Sequence, residues 1–257
     1  MSRYKLRANY DIENIDSQKM DGTVIVDVPM LSNGELNYGL SHIKKKLYEE
    51  NVYPSEIGFD IMSLATMVYM ADTRIERVVH GQDSWTREIE LEIPVSNVEI
   101  WDSQIRTVER MLKFLTGDLW KITLSSRAWQ FNNLEEVREK SNKYDEVSLF
   151  SGGMDSLIST INLMENKKNT LLISHAGEGL TKNAQKNIVN KFDLLYPDVL
   201  HTWLDLWMVF PRDYIPAGGN DNNTRSRSFL FIGYALFAMN GMDTVSYTHL
   251  TLPTKLE

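Results

Sequence analysis

The residues between Phe150 and Ser156 are of the types that bind phosphate. Their order is Phe150-Ser151-Gly152-Gly153-Met154-Asp155-Ser156, with an apolar run before them and apolar residues at helical spacing after them. That pattern predicts a strand, a tight turn and the start of a helix. Backbone N–H groups converge at such a turn, and the helix dipole adds partial positive charge there. The glycines permit positive φ and close approach of an anion, and the serines add hydroxyl donors.

The turn differs from a Walker A loop, because its spacing is shorter and no lysine follows the second glycine. Asp155 is its acidic residue and could hold Mg²⁺ or orient the loop. The alternative interpretation is a chance strand–turn–helix junction in which a serine caps the helix. We expect nucleotide binding, because the matching residue types fall in the structural context that phosphate binding requires.

Two further clusters could take part in the same chemistry. His175 follows a predicted strand and precedes the turn 176–179, although a lone histidine is often only packed or at the surface. Residues 220–228 open the last predicted helix and contain Arg225 and Arg227. Two arginines at a helix start suit a phosphate or a carboxylate. The alternative there is a polar loop that caps the helix, with the arginines in solvent.

The elements after the phosphate-binding turn alternate between helix and strand. Predicted helices cover residues 157–165, 181–195 and 227–239, and predicted strands cover 170–174 and 200–208. Near-continuous apolar strands that alternate with helices indicate a parallel sheet with both faces covered. Ligands bind such sheets at the carboxyl ends of the strands, where all three clusters are expected to meet. We therefore predict an α/β domain over residues 141–244.

The first 140 residues are predicted to form a separate α+β domain. Strands are expected at 23–28, 87–93 and 119–124, with a turn at 31–34 and helices at 40–50, 55–70 and 98–115. The strand 87–93 alternates strictly, so its glutamates should face water. The charged segment 132–143 is expected to contain the domain boundary and at most a short helix.

Composition limits the classes of function. The chain has 257 residues, a net charge of −8 and no cysteine. The charge argues against a general nucleic-acid or anionic-membrane binder. The missing cysteines exclude disulfides, thiolate zinc sites and cysteine nucleophiles in this chain, and suit the cytoplasm. The N-terminus does not resemble a signal peptide, and the longest apolar run, Phe229–Met239, is too short to span a bilayer.

The sequence Ser151-Gly152-Gly153-Met154-Asp155-Ser156 resembles the pyrophosphate loop of the PP-loop ATP pyrophosphatase superfamily. Within it, the cluster order over about 147–239 is similar to the 7-cyano-7-deazaguanine synthase family, although Arg227-Ser228 replaces an Arg-Asn motif. The added leading domain and the stretch Arg225–Phe231 look closer to the QatC family of Qat antiviral defence systems. The resemblance implies a PP-loop, adenine nucleotide alpha hydrolase-like domain.

The resemblance also implies a reaction. A substrate carboxylate attacks the α-phosphorus of ATP, pyrophosphate leaves, and an amine displaces AMP from the acyl-adenylate. ATP and Mg²⁺ are the implied cofactors. Asp155 and Arg227 are the implied catalytic residues, and residues 150–156, His175, Arg225 and Arg227 are implied to bind the nucleotide. The substrate would be a small deazaguanine-type carboxylate, and a protein amine from the same operon is a further hypothetical acceptor.

Other functions compatible with the turn remain open. They are 7-cyano-7-deazaguanine synthesis for queuosine biosynthesis, tRNA thiolation or amidotransfer, and a subunit that binds ATP without turnover. The acidic balance and the missing cysteines argue against tRNA thiolation.

Residues 245–257 do not continue the domain pattern and resemble a translated sequencing-adapter end, so we expect a non-native tail and a truncated domain. The resemblance implies a structural zinc held by cysteines near the C-terminus, and this chain has no cysteine. Either those cysteines lie in the missing part, where alone zinc could bind, or this branch lacks them.

Overall fold

The computed structural model describes residues 3–131, 143–175, 179–222 and 225–243, and the backbone of 246–248. The predicted boundary segment 132–142, most of the turn after His175 and most of the predicted tail lie outside the described residues. The backbone contacts divide the chain into two compact units. Unit 1 contains Met1–His42, Ser55–Glu136 and Met208–Gly233, and unit 2 contains Ile43–Pro54, Val137–Trp207 and Tyr234–Glu257.

The elements are named in chain order. They are β1 (Arg3–Asn9), β2 (Asp16–Met20), β3 (Thr23–Pro29), β4 (Leu31–Ser32), β5 (Glu35–Leu36), α1 (Leu40–Glu49), α2 (Glu56–Arg74), α3 (Arg77–His80), β6 (Glu88–Val95), α4 (Val98–Thr116), β7 (Leu119–Ser126), β8 (Glu146–Leu149), α5 (Met154–Glu165), β9 (Thr170–His175), α6 (Gly179–Leu195), β10 (His201–Leu206), α7 (Arg227–Asn240) and β11 (Ser246–Thr248).

Unit 1 is built on a five-stranded sheet with the order β2-β3-β1-β6-β7. Only the β2–β3 pair is antiparallel, and the other three pairs are parallel. The α+β expectation for this region is therefore corrected to a mostly parallel arrangement. The difference arises because β1, which was not predicted from the sequence, lies between β3 and β6. Helix α2 packs on β1 and β6, and α4 packs on β7.

Local sequence patterns explain the elements of unit 1. Alternate residues of β6 are buried, so its glutamates lie on the more exposed face, as predicted. Helix α4 ends at Gly117, whose φ of 77° is the left-handed geometry that glycine adopts at little cost. Asn33 and Gly34 both have positive φ and join β4 to β5, as expected of a two-residue hairpin turn.

A cluster of buried charges lies at the core of unit 1. The Asp118 side chain is fully buried and accepts hydrogen bonds from Arg77 and from Arg87, with the Arg87 Nη2 atom 2.7 Å away. Asp72 is also buried and lies 2.6 Å from Arg87 Nη2. Burial by itself raises the pKa of Asp118, but hydrogen bonds from both arginines outweigh it and hold that pKa below its usual value. Asp118 therefore remains charged in the core.

Unit 2 contains a fully parallel four-stranded sheet with the order β10-β9-β8-β11. If β8, β9, β10 and β11 are numbered 1 to 4, the strand order across the sheet is 3-2-1-4, as in Rossmann-like folds. One face of the sheet holds a core of Phe150, Leu172 and Phe192, packed against side chains of α5 and α6. The chain is thus an α/β protein with mostly parallel sheets, compatible with a Rossmann-like fold. Strand β11 comes from the segment assigned to a non-native tail, and that assignment stays a prediction.

Most elements lie where the sequence predicts them, with differences at their ends. Helix α2 continues to Arg74 instead of ending near residue 70, and α5 begins at Met154 instead of 157. Strands β1 and β2 were not predicted, and β2 is exposed along its length and carries no apolar pattern. Among the described residues, no helix combines the length and apolar composition that a membrane crossing needs.

Candidate functional site

The turn 150–156 joins β8 to α5 in unit 2. Phe150 is buried and its backbone N–H donates to the Ile173 carbonyl at 2.7 Å, which fixes the turn to the neighbouring strand β9. Ser151, Gly153 and Asp155 are exposed, and Met154 is 70% exposed. The turn is therefore anchored at its first residue and open to solvent beyond it.

Gly152 is the residue of the turn whose geometry requires glycine. Its φ is +83°, and a Cβ atom there would lie 2.9 Å from Cγ of Gln185. Gly153 differs from the expectation of positive φ, because it is extended, at φ −84° and ψ 170°, and occupies the N-cap position of α5. One glycine thus makes the bend, and the other begins the helix.

The two serines of the turn organise its backbone. The N–H of Gly152 donates to Ser156 Oγ at 3.2 Å, and the N–H of Gly153 donates to Ser151 Oγ at 3.3 Å. Ser156 Oγ in turn donates to the Gly153 carbonyl at 2.9 Å. The hydroxyls therefore hold the turn closed on itself, and an anion at Gly152 or Gly153 would have to replace a serine oxygen.

The first turn of α5 presents free donors. Among the described residues, the backbone N–H groups of Met154, Asp155 and Ser156 donate no hydrogen bond. The first N–H groups of a helix point along its axis and carry its positive dipole end. An anion in front of α5 would therefore accept hydrogen bonds from these N–H groups. The acidic residue in this first turn is Asp155, which is exposed.

Gln185 of α6 supports the turn, and its role was not predicted from the sequence. Its side chain is fully buried, and Nε2 donates to the carbonyls of Phe150 at 3.4 Å and Ser151 at 3.0 Å. The available signal was its spacing, because residue 185 stands three, four and seven positions before the apolar Ile188, Val189 and Phe192. A polar residue within an apolar helix stripe indicates a specific buried contact.

We expect Gln185→Glu to loosen the turn and to cost about 1–3 kcal/mol in the free energy of unfolding, because a carboxylate cannot donate to the two carbonyls. Hydrogen exchange of the amides in residues 150–156 should accelerate, and urea unfolding should report the loss. Gln104→Glu, on the exposed side of α4, makes the same chemical change and serves as the control. Equal exchange in the two variants would contradict the supporting role.

Three strands of unit 2 end at one edge of the sheet. The register pairs Leu149 with Ile173, and His175 with Leu206, so the turn follows β8 where β9 and β10 also end. The expectation that the turn and the ends of β9 and β10 lie at the same edge is therefore confirmed. His175 is 6% exposed, and its ring centroid lies 5.8 Å from that of Tyr234, so the structure places this residue within the packing of the edge. Its predicted contact with nucleotide stays a prediction.

Two lysines meet an acid near the same edge. Asp205, one residue before the end of β10, lies 2.7 Å from Lys46 Nζ and 2.5 Å from Lys182 Nζ. Burial by itself raises the pKa of Asp205, but the hydrogen bonds from Lys182 and Lys46 outweigh it and lower that pKa overall. Lys182 precedes Gln185 by three residues, so the two share one side of α6. The Lys182 side chain is 51% exposed, so its ammonium group also reaches solvent.

Arg225 and Arg227 belong to unit 1, whereas the turn and His175 belong to unit 2. Arg225 donates to the Thr116 carbonyl at 2.8 Å, and its guanidinium lies 4.2 Å from the Trp85 ring centroid. Arg227 is exposed and is the first residue of α7. At this helix start the backbone N–H and the hydroxyl of Ser226 both donate to Asp72, at 2.8 and 2.9 Å. An internal carboxylate thus accepts two hydrogen bonds at the start of α7, and the anion contacts predicted for Arg225 and Arg227 stay predictions.

Metal ligands are sparse in this fold. Within the ranges that the structure describes, no group of three or more histidine and acidic side chains could enclose a metal ion. Asp155 is the acidic side chain that the turn itself offers to a cation, and Mg²⁺ is often held by one or two carboxylates when substrate phosphates supply its other ligands.

Comparisons with family profiles, with curated proteins and with solved structures give no match for this chain. The site is therefore interpreted from its own geometry and from the resemblance of its turn.

Proposed function

We propose that residues 150–156 bind the phosphates of ATP and that the chain is a PP-loop-like enzyme that activates a carboxylate by adenylation. The observation that carries this proposal is the exposed start of α5, where three backbone N–H groups lack an acceptor among the described residues. It stands at the carboxyl edge of a parallel sheet, the edge at which Rossmann-like folds bind nucleotides.

The geometry of the turn suits a leaving pyrophosphate. Negative charge develops on that group as the carboxylate oxygen attacks the α-phosphorus and the bond between the α-phosphorus and the bridging oxygen breaks. Backbone N–H groups that are already aligned stabilise such charge with little reorganisation. Ser151 and Ser156 can redirect the hydrogen bonds that their hydroxyls donate to phosphate oxygens. In the structure, Ser151 Oγ donates to Ser156 Oγ at 3.2 Å and Ser156 Oγ donates to the Gly153 carbonyl at 2.9 Å.

Lys182 is the cation that we assign to the phosphates. The turn has no lysine of its own, but Lys182 stands three residues before Gln185, whose amide contacts the turn. The partner of Lys182, Asp205, also forms an ion pair with Lys46. The Asp205 carboxylate therefore keeps a positive partner if Lys182 leaves it to contact a phosphate. Asp155 fits a magnesium ligand, since it is exposed at the first turn of α5, and the ion would screen the charge of the phosphates.

The resemblance extends the proposal to a substrate. It supports a deazaguanine-type carboxylate, with ammonia or a protein amine as the acceptor and with antiviral defence as the setting. Arg227, whose side chain is exposed, would then bind the carboxylate or the α-phosphate, and we retain Asp155 and Arg227 as the proposed catalytic residues.

We expect the chain to bind ATP and to release pyrophosphate from ATP and Mg²⁺ when a carboxylate substrate is supplied. Equilibrium dialysis with labelled ATP measures binding, and a coupled pyrophosphate assay measures turnover. The Ser151→Ala/Asp155→Ala variant should lose at least about tenfold in both, because one hydroxyl donor and the magnesium ligand are removed.

Ser103→Ala/Asp102→Ala on α4 makes the same two changes at exposed positions and is the control. Pyrophosphate release that is equal in both double variants would overturn the catalytic proposal. Binding of ATP without release in the presence of the substrate would instead assign a nucleotide-binding subunit.

A further inference from the structure

Unit 1 contains a pocket that the proposed ATP site does not use. Its volume is about 310 Å³, within the size range of sites for small organic ligands. It lies between the end of α2, the segment after β10 and the segment before α7. Its lining residues are Tyr69, Thr73, Arg74, Met208, Val209, Phe210, Arg212, Asn220, Asp221 and Asn222.

One cation of this pocket has no acidic partner. The Arg74 guanidinium donates to the backbone carbonyls of Pro211 at 2.7 Å, Phe210 at 2.6 Å and Thr73 at 2.9 Å. Within the described part of the chain, no carboxylate forms an ion pair with it. These three bonds use three of its five N–H groups, so two remain to donate. Arg74 therefore holds the pocket wall in place and brings to it a positive charge that forms no direct ion pair among the described residues.

A second cation lies nearby. Arg212 is exposed, lines the same pocket and has no hydrogen bond or ion pair among the described residues. Burial lowers the pKa of Arg74, and repulsion from Arg212 acts in the same direction, while Tyr69 and Asp213 oppose them. Two arginines that repel each other at one pocket are stabilised by an anion between them.

The acids around the pocket are already engaged. The Asp221 carboxylate is 11% exposed and lies 3.6 Å from Arg77 and 3.8 Å from Arg87. Asp213 is fixed by the Asn220 amide, which donates to it at 2.6 Å. Burial raises the pKa of Tyr69 in the pocket lining, and the positive charge of Arg227 opposes that rise.

One wall of the pocket is apolar. Phe210 is 3% exposed, its ring centroid lies 5.9 Å from that of Tyr69, and Arg74 lies 6.0 Å from its centre. Met208 and Val209 complete this wall. A fully hydrated inorganic ion would leave these surfaces uncovered, whereas a ring that carries an acid would cover them and reach the arginines.

We propose that this pocket binds a small organic anion, in which a carboxylate or a phosphate ester on an apolar ring contacts Arg74 and Arg212. The site is assigned from unit 1 alone, so it does not depend on ATP binding in unit 2. The sequence indicated an anion site near residues 220–228, but with other arginines. The cations that line the pocket come from α2 and from the segment after β10.

Ligand-detected NMR titrations with benzoate, phenyl phosphate and the neutral benzamide test the proposal on the full chain. At least one of the two anions should bind, at least about fivefold more tightly than benzamide, and which one binds identifies the acid group. Arg212→Gln should weaken that binding about tenfold, because a charge-assisted hydrogen bond is lost.

Arg212 makes no hydrogen bond or ion pair in the described part of the chain, so its variant should fold normally. Arg106→Gln, on the exposed side of α4, removes the same charge and should bind the anion like the parent chain. Gly152→Ala should leave this binding intact even where ATP binding is lost, which separates failure of the two proposals. Equal affinity for the anions and benzamide, or equal affinity in the two arginine variants, would overturn the assignment.

Discussion

Replacing Asp118 with alanine is expected to destabilise unit 1 by about 3–5 kcal/mol, the cost of leaving buried charges without their partner. Asp118 is fully buried and accepts hydrogen bonds from Arg77, from the Arg87 side chain and from the Arg87 backbone N–H. Its loss leaves both guanidinium groups with fewer acceptors in a place that water does not reach. Hydrogen exchange of β6 and β7 and urea unfolding should both report the loss.

Asp102→Ala on α4 removes the same charge from an exposed position and should change the free energy of unfolding by less than about 0.5 kcal/mol. Asp118→Asn keeps the size of the side chain, and its free energy of unfolding should lie between those of Asp118→Ala and Asp102→Ala. The amide still accepts one hydrogen bond but carries no charge. If Asp118→Ala behaves like Asp102→Ala, the buried cluster does not stabilise unit 1.

Gly152→Ala is expected to remove ATP binding and to cost about 2–4 kcal/mol in stability, from backbone strain and from overpacking. The position has φ of +83°, and the new Cβ would lie 2.9 Å from Gln185 Cγ. Gln185 would have to move, and its hydrogen bonds to the carbonyls of the turn would be lost with it. Equilibrium dialysis with ATP and thermal unfolding measure the two effects separately.

Gly179→Ala is the matched control, because Gly179 also begins a helix in unit 2 but lacks a positive φ. The Cβ that alanine adds would meet no atom of the described residues within 4 Å. This variant should bind ATP like the parent chain and should be slightly more stable. ATP binding that survives Gly152→Ala would place the nucleotide elsewhere and would remove the basis of the proposed function.

Most of the α/β pattern of unit 2 could be predicted, because buried parallel strands are apolar along their whole length. The apolar runs before Ser151 and before His175 are followed by helices whose apolar residues repeat at helical spacing. Unit 1 was harder, since β2 is exposed along its length and β1 buries only Tyr4, Leu6 and Ala8. A weak pattern at the N-terminus therefore concealed the parallel pairing.

The candidate site was only partly predictable for a similar reason. The turn was found, because its glycines and serines are adjacent in the chain and their conformational preferences are local. Gln185 and Lys182 were not, because their roles arise from neighbours that are distant in sequence. Arg225 was predicted as an anion ligand, but its side chain lies over Trp85 and donates to the Thr116 carbonyl. No local sequence pattern indicates these contacts.

The sequence by itself determined where the chain bends around Gly152, which segments are helices or buried strands, and that the strands of unit 2 lie parallel. These depend on backbone preference and on apolar periodicity, which a short stretch carries whatever its surroundings. Only the tertiary structure decided which donors at α5 stay open, that Asp72 occupies the start of α7, and that Arg74 faces a pocket without an acidic partner among the described residues. Hydrogen bonds form at about 3 Å and exposed charges interact over about 10 Å in space, so their partners are set by packing rather than by order along the chain.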